Sequence, residues 1–393
     1  MTRIMLILED YHTSFDTMIV KLLLKCGFIV LLFGSEKKLS HFRSFERDVK
    51  LLIAPERAGN SHFACLIRSR EYVNHIRAFA EKEKIDVIMI TTAQNIYVNL
   101  FLASVLKKTI SILVIHNINR FVVWGDRVFR SIERNFETYP LWRKIINSRV
   151  ARSADAVVVL TDYLQEEMSR LMPTIPVYEL PFRVSSSEVL VRRKKAVLNN
   201  SVTTFAISGS VNGKRRSYDQ YFELFSNVSD RNFRLLLLGD VHDPAVVYRG
   251  KELLGDKLIA FDRFLTEEEY LTELLNTHFL LTNLSRSMPY GVFKASGVEF
   301  DGPSVGIPVF LPEDTLKSSQ HGVFIRFSED NMKHILRNAI ESVEDGTYEK
   351  EYLEPAIREA GYFDEGKWAD NLYTVIMTSL KASVTRPNKF SGG

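Results

Sequence analysis

Cysteine is nearly absent: the 393 residues contain two, Cys26 and Cys65, in helix-like or apolar surroundings with no metal-ligand spacing. This argues against a disulfide framework or a structural zinc site and points to a reducing compartment, the cytoplasm. An excess of one charge is also lacking. The formal net charge is +3, too small for a general nucleic-acid binder, so no nucleic-acid partner is expected. No apolar run is long enough to span a bilayer. The tempting stretch, MIVKLLLKCGFIVLLF at residues 18–33, is divided by Lys21, Lys25 and Gly27 into an amphipathic helix and a strand. The opening MTRIMLILED has too short an apolar run for a signal peptide, so the chain is expected to stay in the cytoplasm. No Gly-x-Gly-x-x-Gly follows the first apolar run, which argues against a Rossmann dehydrogenase.

What is present is globular in composition, 46% hydrophobic and 25% charged, and long enough for two cores. Ile4 to Leu8, Ile29 to Phe33, Leu51 to Ala54, Val87 to Ile90, Ile112 to Ile115 and Ala156 to Leu160 read as buried strands with room for crossover helices between them. After Pro173, Pro176 and Pro181 comes a polar, basic stretch without clear periodicity, and the pattern then restarts. Thr203 to Ile207, Arg234 to Leu238, Leu258 to Phe261, Phe279 to Leu281, Val309 to Leu311 and Val323 to Ile325 form the second set. The expected architecture is α/β, with two Rossmann-like domains facing a cleft. The expected divisions are a domain over 1–183, a linker over 184–200, a domain over 201–362, a helix over 363–381 that crosses back to the first domain, and a disordered tail over 382–393.

Parallel sheets bind ligands at the carboxyl ends of their strands, so the chemistry is expected in four loops. FAISGSVNGKRRSYDQ at 205–220 carries Gly209 and Gly213 from a strand into a helix, then Lys214, Arg215 and Arg216. Glycine, helix start and fixed cations suit a diphosphate, and a solvated basic turn explains the residues equally well. LVIHNINR sets His116 at a strand end, either facing a ligand or hydrogen-bonded as part of the structure. LILEDYHTSF offers Glu9, Asp10 and His12 as an acid and imidazole pair, with Asp10 or Thr13 alternatively capping the next helix. In YGVFKASGVEFDGPSVGIPVF, at 290–310, Ser296 and Glu299 form a capping box before Val309 to Leu311. Its glycines are expected to let a ligand approach the backbone, and Pro303 predicts a short or kinked helix.

In this order the segments resemble glycosyltransferases of the GT-B fold, particularly family four. The pieces that carry the resemblance are VIHNI, ADAVVVLTDYLQEEM, SGSVNGK, LLLLGD, IAFDRFLTEEEYLTELL and SVGIPVF, which together span nearly the whole chain. The resemblance implies a cytoplasmic transferase that moves a sugar from a nucleotide-sugar donor to a saccharide or lipid-linked acceptor in polysaccharide biosynthesis. It implies no cofactor and no bound metal, in keeping with the lack of any Asp-x-Asp pair. It also implies that Gly209, Ser210, Lys214, Arg215, Arg216 and Lys294 line the donor site. Ser296 and Gly297 would meet the phosphate or sugar, Phe264 and Leu265 the base, and Asp301 the ribose hydroxyls. His116 matches the family's histidine near the donor sugar. The family's first Glu falls on Phe293, and its usual Arg in the second-domain loop falls on Ser210.

A retaining enzyme would need no strong base, while an inverting one would need a base for the acceptor, for which His12 is the candidate. Two rival readings are a catalytically inactive sugar-nucleotide-binding homologue, which Phe293 would explain, and a sugar-nucleotide epimerase. Residues 120–152 hold seven Arg and one Lys against three acids, with Phe121, Trp124, Phe129, Phe136 and Trp142 among them. That mixture suits either an anionic membrane on its inner face or a solvated helical face.

Overall fold

A computed structural model describes the chain except for residues 11, 57–60, 94, 122–139, 214–217, 283–294, 314–319 and 386–393. It divides into two units, 1–181 with 366–393, and 182–365.

The first unit is built on β1 (Arg3–Ile7), β2 (Ile29–Gly34), β3 (Val49–Ile53), β4 (Val87–Ile90), β5 (Ile110–Ile115), β6 (Ala156–Val159) and β7 (Val177–Glu179), all parallel in the order β3-β2-β1-β4-β5-β6-β7. The central strands are apolar at nearly every position because helices cover both faces. In β4 all four residues are buried, and Ile4 of β1 pairs with Val30 on one side and Val87 on the other. β7 was not expected. Its three residues, Val-Tyr-Glu, give no apolar run, and its place at the sheet edge leaves Tyr178 and Glu179 only half-buried. The last helix, Glu365–Thr385, belongs to this unit. It buries Trp368, Leu372, Val375 and Ile376, a spacing of one helical face, and its Ala369 carbonyl accepts from the Cys26 thiol at 3.1 Å. The return of the helix to the first domain is thus as expected, and the helix runs on into the segment read as a tail.

The second unit holds β8 (Thr203–Ser208), β9 (Phe233–Leu238), β10 (Leu258–Ala260), β11 (Phe279–Leu281), β12 (Val309–Pro312) and β13 (Phe324–Phe327), parallel in the order β10-β9-β8-β11-β12-β13. One side of its core is a cluster of rings in which Phe205 packs against Phe225, Phe279 and Phe310. The stretch read as a linker is instead a helix, Ser187–Leu198, capped by the Ser186 hydroxyl. Its basic run hides the reason for folding. Arg193 is fully buried and donates to the Leu275 carbonyl at 2.8 Å and to the Tyr348 hydroxyl at 3.0 Å. Tyr348 in turn donates to the His278 carbonyl at 2.9 Å.

His278 locks β11 to β8. Its backbone N–H donates to the Thr204 carbonyl at 2.8 Å, and its Nδ1 accepts the Thr204 N–H at 3.1 Å. Burial, with the cations of Arg193 and Arg234 nearby, pushes the imidazole pKa down to about 3. The unfolded chain therefore binds a proton that the native chain refuses, and stability falls as pH drops from about 6.5 towards 3. From pH 7 to pH 5 this group alone should cost roughly 2 kcal/mol in urea unfolding. His278→Gln should flatten that dependence, and an unchanged slope would assign it to other groups.

Candidate functional site

In the second unit, β9 lies on one side of β8 and β11 on the other, so the connections leaving β8 and β11 diverge and open a crevice at their carboxyl ends. Gly209 turns the chain there at φ +88, and its N–H donates to the Leu238 carbonyl at 3.0 Å. A Cβ on Gly239 would stand 2.3 Å from the Gly209 carbonyl oxygen, so the loops after β8 and β9 meet backbone to backbone. Val211 N–H to the Asp240 carbonyl, 2.9 Å, continues the contact. The Ser210 carbonyl accepts from the Tyr218 hydroxyl at 3.3 Å. Lys214, Arg215, Arg216, Phe293 and Lys294 lie outside the described residues.

The glycine-rich stretch resolves differently from its reading. One helical turn, Val298–Asp301, ends at Gly302 and Pro303, as the proline predicted. Glu299 accepts the Ser296 N–H at 2.7 Å, the carboxylate half of the expected capping box. A Cβ on Gly302 would press on Val309 at 2.6 Å, and Gly306 sits at φ +72. Those two glycines serve packing and a turn rather than ligand approach. At Gly297 a Cβ would meet only Asp301 Oδ2, at 3.6 Å. Leu265 is buried in the core with Leu238 and Leu274, while Phe264 is 77% exposed.

Asp301 is buried, and both its oxygens have partners. Oδ1 accepts from Arg183 Nε at 3.1 Å, and Oδ2 accepts from the Tyr270 hydroxyl at 2.8 Å. Tyr270 also bonds to Ser208, the last residue of β8, and the Arg183 guanidinium carbon lies 5.4 Å from the centre of its ring. Burial and the Asp301 charge raise the Tyr270 pKa well above the usual phenol range. Burial pulls the Arg183 pKa down, and Asp301, Tyr270 and Glu267 more than restore it. Sequence reading missed Arg183, Tyr270 and Ser208. They are far apart in the chain, and only Ser208 lay at an expected strand end.

In the first unit the connections diverge between β1 and β4. His12, just before the helix Thr13–Lys25, is left-handed at φ 59, and its own side chain makes no cap hydrogen bond. His116 follows β5 and is buried. Its Nε2 is 2.9 Å from the Thr91 carbonyl, which can only accept, so Nε2 carries the proton. The two imidazoles stack with centroids 4.3 Å apart and planes 9° from parallel, and Phe15 meets His116 edge-on. Asp10 is exposed and accepts from the Ser35 hydroxyl at 2.7 Å. Behind the histidines lies an ion pair that sequence reading also missed. Lys38 Nζ is 2.7 Å from Asp16 Oδ2 and 3.0 Å from Thr13 Oγ1, with both charged side chains almost wholly buried. Burial pushes the Asp16 pKa up to about 6 against the pull of Lys38, and the Thr91 hydroxyl donates to the Ile7 carbonyl at 3.4 Å.

No protein-family model and no curated protein sequence matches the chain. Solved structures do match it. A glycosyltransferase from Rickettsia africae superposes with a TM-score of 0.68 over 97% of this chain and 99% of its own, at 12% identity. The chain has the GT-B fold. Sucrose-phosphate synthase from Thermosynechococcus elongatus follows at a TM-score of 0.66 and 11% identity, over 97% of this chain and 100% of that one. UDP-GlcNAc 2-epimerase from Neisseria meningitidis, bound to UDP-GlcNAc, reaches 0.61 at 11% identity over 96% and 100%. Identities this low establish the GT-B architecture and leave its chemistry to the residues.

Proposed function

We propose that this GT-B chain is a glycosyltransferase, resembling family four, that takes a nucleotide sugar on its second unit and passes the sugar to a saccharide or lipid-linked acceptor without a bound metal. The observation that carries the reading is the Ser208, Tyr270, Asp301 and Arg183 cluster beside the Gly209 turn, where a doubly wound sheet receives its ligand. Departure of the leaving group builds negative charge on the nucleoside diphosphate, so fixed cations near it lower the barrier. Lys214, Arg215, Arg216 and Lys294 are the further cations proposed for this role, with Ser210, Ser296 and Gly297 supplying polar and backbone contacts. His116 and His12 supply the imidazoles of the first unit for orienting a hydroxyl or taking its proton.

The epimerase neighbour keeps a second reading in play, since a protein of the same fold binds UDP-GlcNAc. Epimerisation inverts a carbon of the donor sugar itself and needs no acceptor, so the two readings differ in product. For the acceptor side we propose docking on an anionic membrane. The helix Leu141–Ser153 turns Leu141, Trp142 and Ile145 outward, each at least half exposed, while Lys144, Asn147 and Ser148 are buried. Asn147 is held at 2.8 Å by Asn99 and Lys144 at 3.2 Å by Asn119, so the polar side is fixed inward. The helix contains four cations and no acid, with Arg143, Arg149 and Arg152 exposed. No helix among the described residues is long and apolar enough to cross a membrane.

Two measurements check this reading. Incubation with a panel of nucleotide sugars and acceptors should release nucleoside diphosphate and form a glycosylated product, equally well in EDTA. An epimerised donor without acceptor would establish the other reading, and rescue of an EDTA-inhibited reaction by magnesium or manganese would overturn metal independence. In the second, the chain should co-sediment with vesicles containing phosphatidylserine but not with neutral ones, salt should reverse this, and Trp142→Ser should weaken it. Equal behaviour with both vesicles would leave the helix a solvated face.

A further inference from the structure

Arginine frequently meets a carboxylate with two parallel hydrogen bonds, which offset more of the desolvation of a buried pair than one does. Arg183 does not. It gives Asp301 a single bond from Nε, at 3.1 Å. The face of its guanidinium is taken by the Tyr270 ring. The amino groups Nη1 and Nη2 have no hydrogen-bond partner among the described residues, and the side chain keeps 15% exposure.

Asp301 is the position that the resemblance assigned to the ribose hydroxyls. Its two oxygens are already held by Arg183 and Tyr270, and Tyr270 is tied through Ser208 to the end of β8. The carboxylate is therefore placed as the anchor of an arginine. A guanidinium held on one edge by Asp301 and on one face by Tyr270, with amino groups that bond to no other described residue, suits an oxyanion at the carboxyl end of the central strands, and phosphate is the oxyanion whose geometry matches that fork.

We propose that Arg183 reads phosphate. Its two amino groups take phosphate oxygens of the nucleotide, and Asp301 and Tyr270 are positioning residues that hold the guanidinium plane for them. This rests on the nucleotide-sugar reading for the identity of the ligand, although the anion site itself does not need it.

Titration calorimetry of the full chain tests it, with UDP, GDP, uridine, guanosine and inorganic pyrophosphate as probes. Arg183→Gln should weaken the preferred nucleoside diphosphate tenfold or more and leave the matching nucleoside unchanged. Asp301→Asn should shift the ratio of nucleotide to nucleoside affinity in the same direction, and Asp301→Glu should restore part of it. Tyr270→Phe removes only one hydroxyl and serves where the charge substitutions prevent folding; it should lower that ratio severalfold. If nucleotides bind and every folded variant leaves the ratio unchanged, or loses nucleoside and nucleotide alike, Arg183 is structural and this inference alone fails. If the unaltered chain binds pyrophosphate through Arg183 but no nucleotide, the anion site stands and the nucleotide-sugar reading fails. If it binds none of the probes, both fail.

Discussion

A parallel sheet fed by crossovers on both sides has one pair of neighbouring strands whose outgoing loops must part, and the backbone there cannot cover the gap. In this chain the pairs are β1 with β4 and β8 with β11. Each gap is lined by side chains instead. The stacked imidazoles of His12 and His116 collect at the first, and Ser208, Tyr270, Asp301 and Arg183 at the second. The sheets explain why residues so distant in sequence meet, and why polar groups concentrate where a scaffold gains little from them.

Both gaps are backed by charge withdrawn from water. Asp16, on the first helix, and Lys38 lie almost wholly buried in the first unit, and Asp301 with Arg183 lies at the carboxyl end of the second unit's central strands. Buried pairs of this kind add little net stability over well-packed apolar residues, yet losing one partner is costly, so such a pair fixes geometry more than it strengthens a fold. In the first unit Lys38 pairs with Asp16, and the Thr91 carbonyl holds His116 through Nε2. In the second a chain of contacts runs from β8 through Tyr270 to Asp301 and Arg183. In each, the final group is held by hydrogen bonds rather than by a flexible stem.

Much of the fold was legible because buried parallel strands write themselves as apolar runs. Val87–Ile90 and Phe279–Leu281 fall where the sequence placed them. Val177–Glu179 did not, since an edge strand of three residues has too few buried positions to leave a pattern. The helix Ser187–Leu198 was read as a linker because Arg193 looked like part of a solvated basic run; burial on a carbonyl and a phenol gives no one-dimensional signal. The candidate sites were half legible for the same reason. His116 and Gly209 stand at strand ends and could be found, whereas Arg183 gains its meaning only from Asp301, more than a hundred residues away.

Hydrogen–deuterium exchange of the full chain, with and without saturating nucleoside diphosphate, tests most directly whether the gap between β8 and β11 receives the ligand. Protection should concentrate in peptides covering residues 205–213, 265–275 and 296–306, with edge strands β10 and β13 unchanged. Protection confined to the first unit, around 10–16 and 113–118, would contradict the account and move the nucleotide to the other sheet.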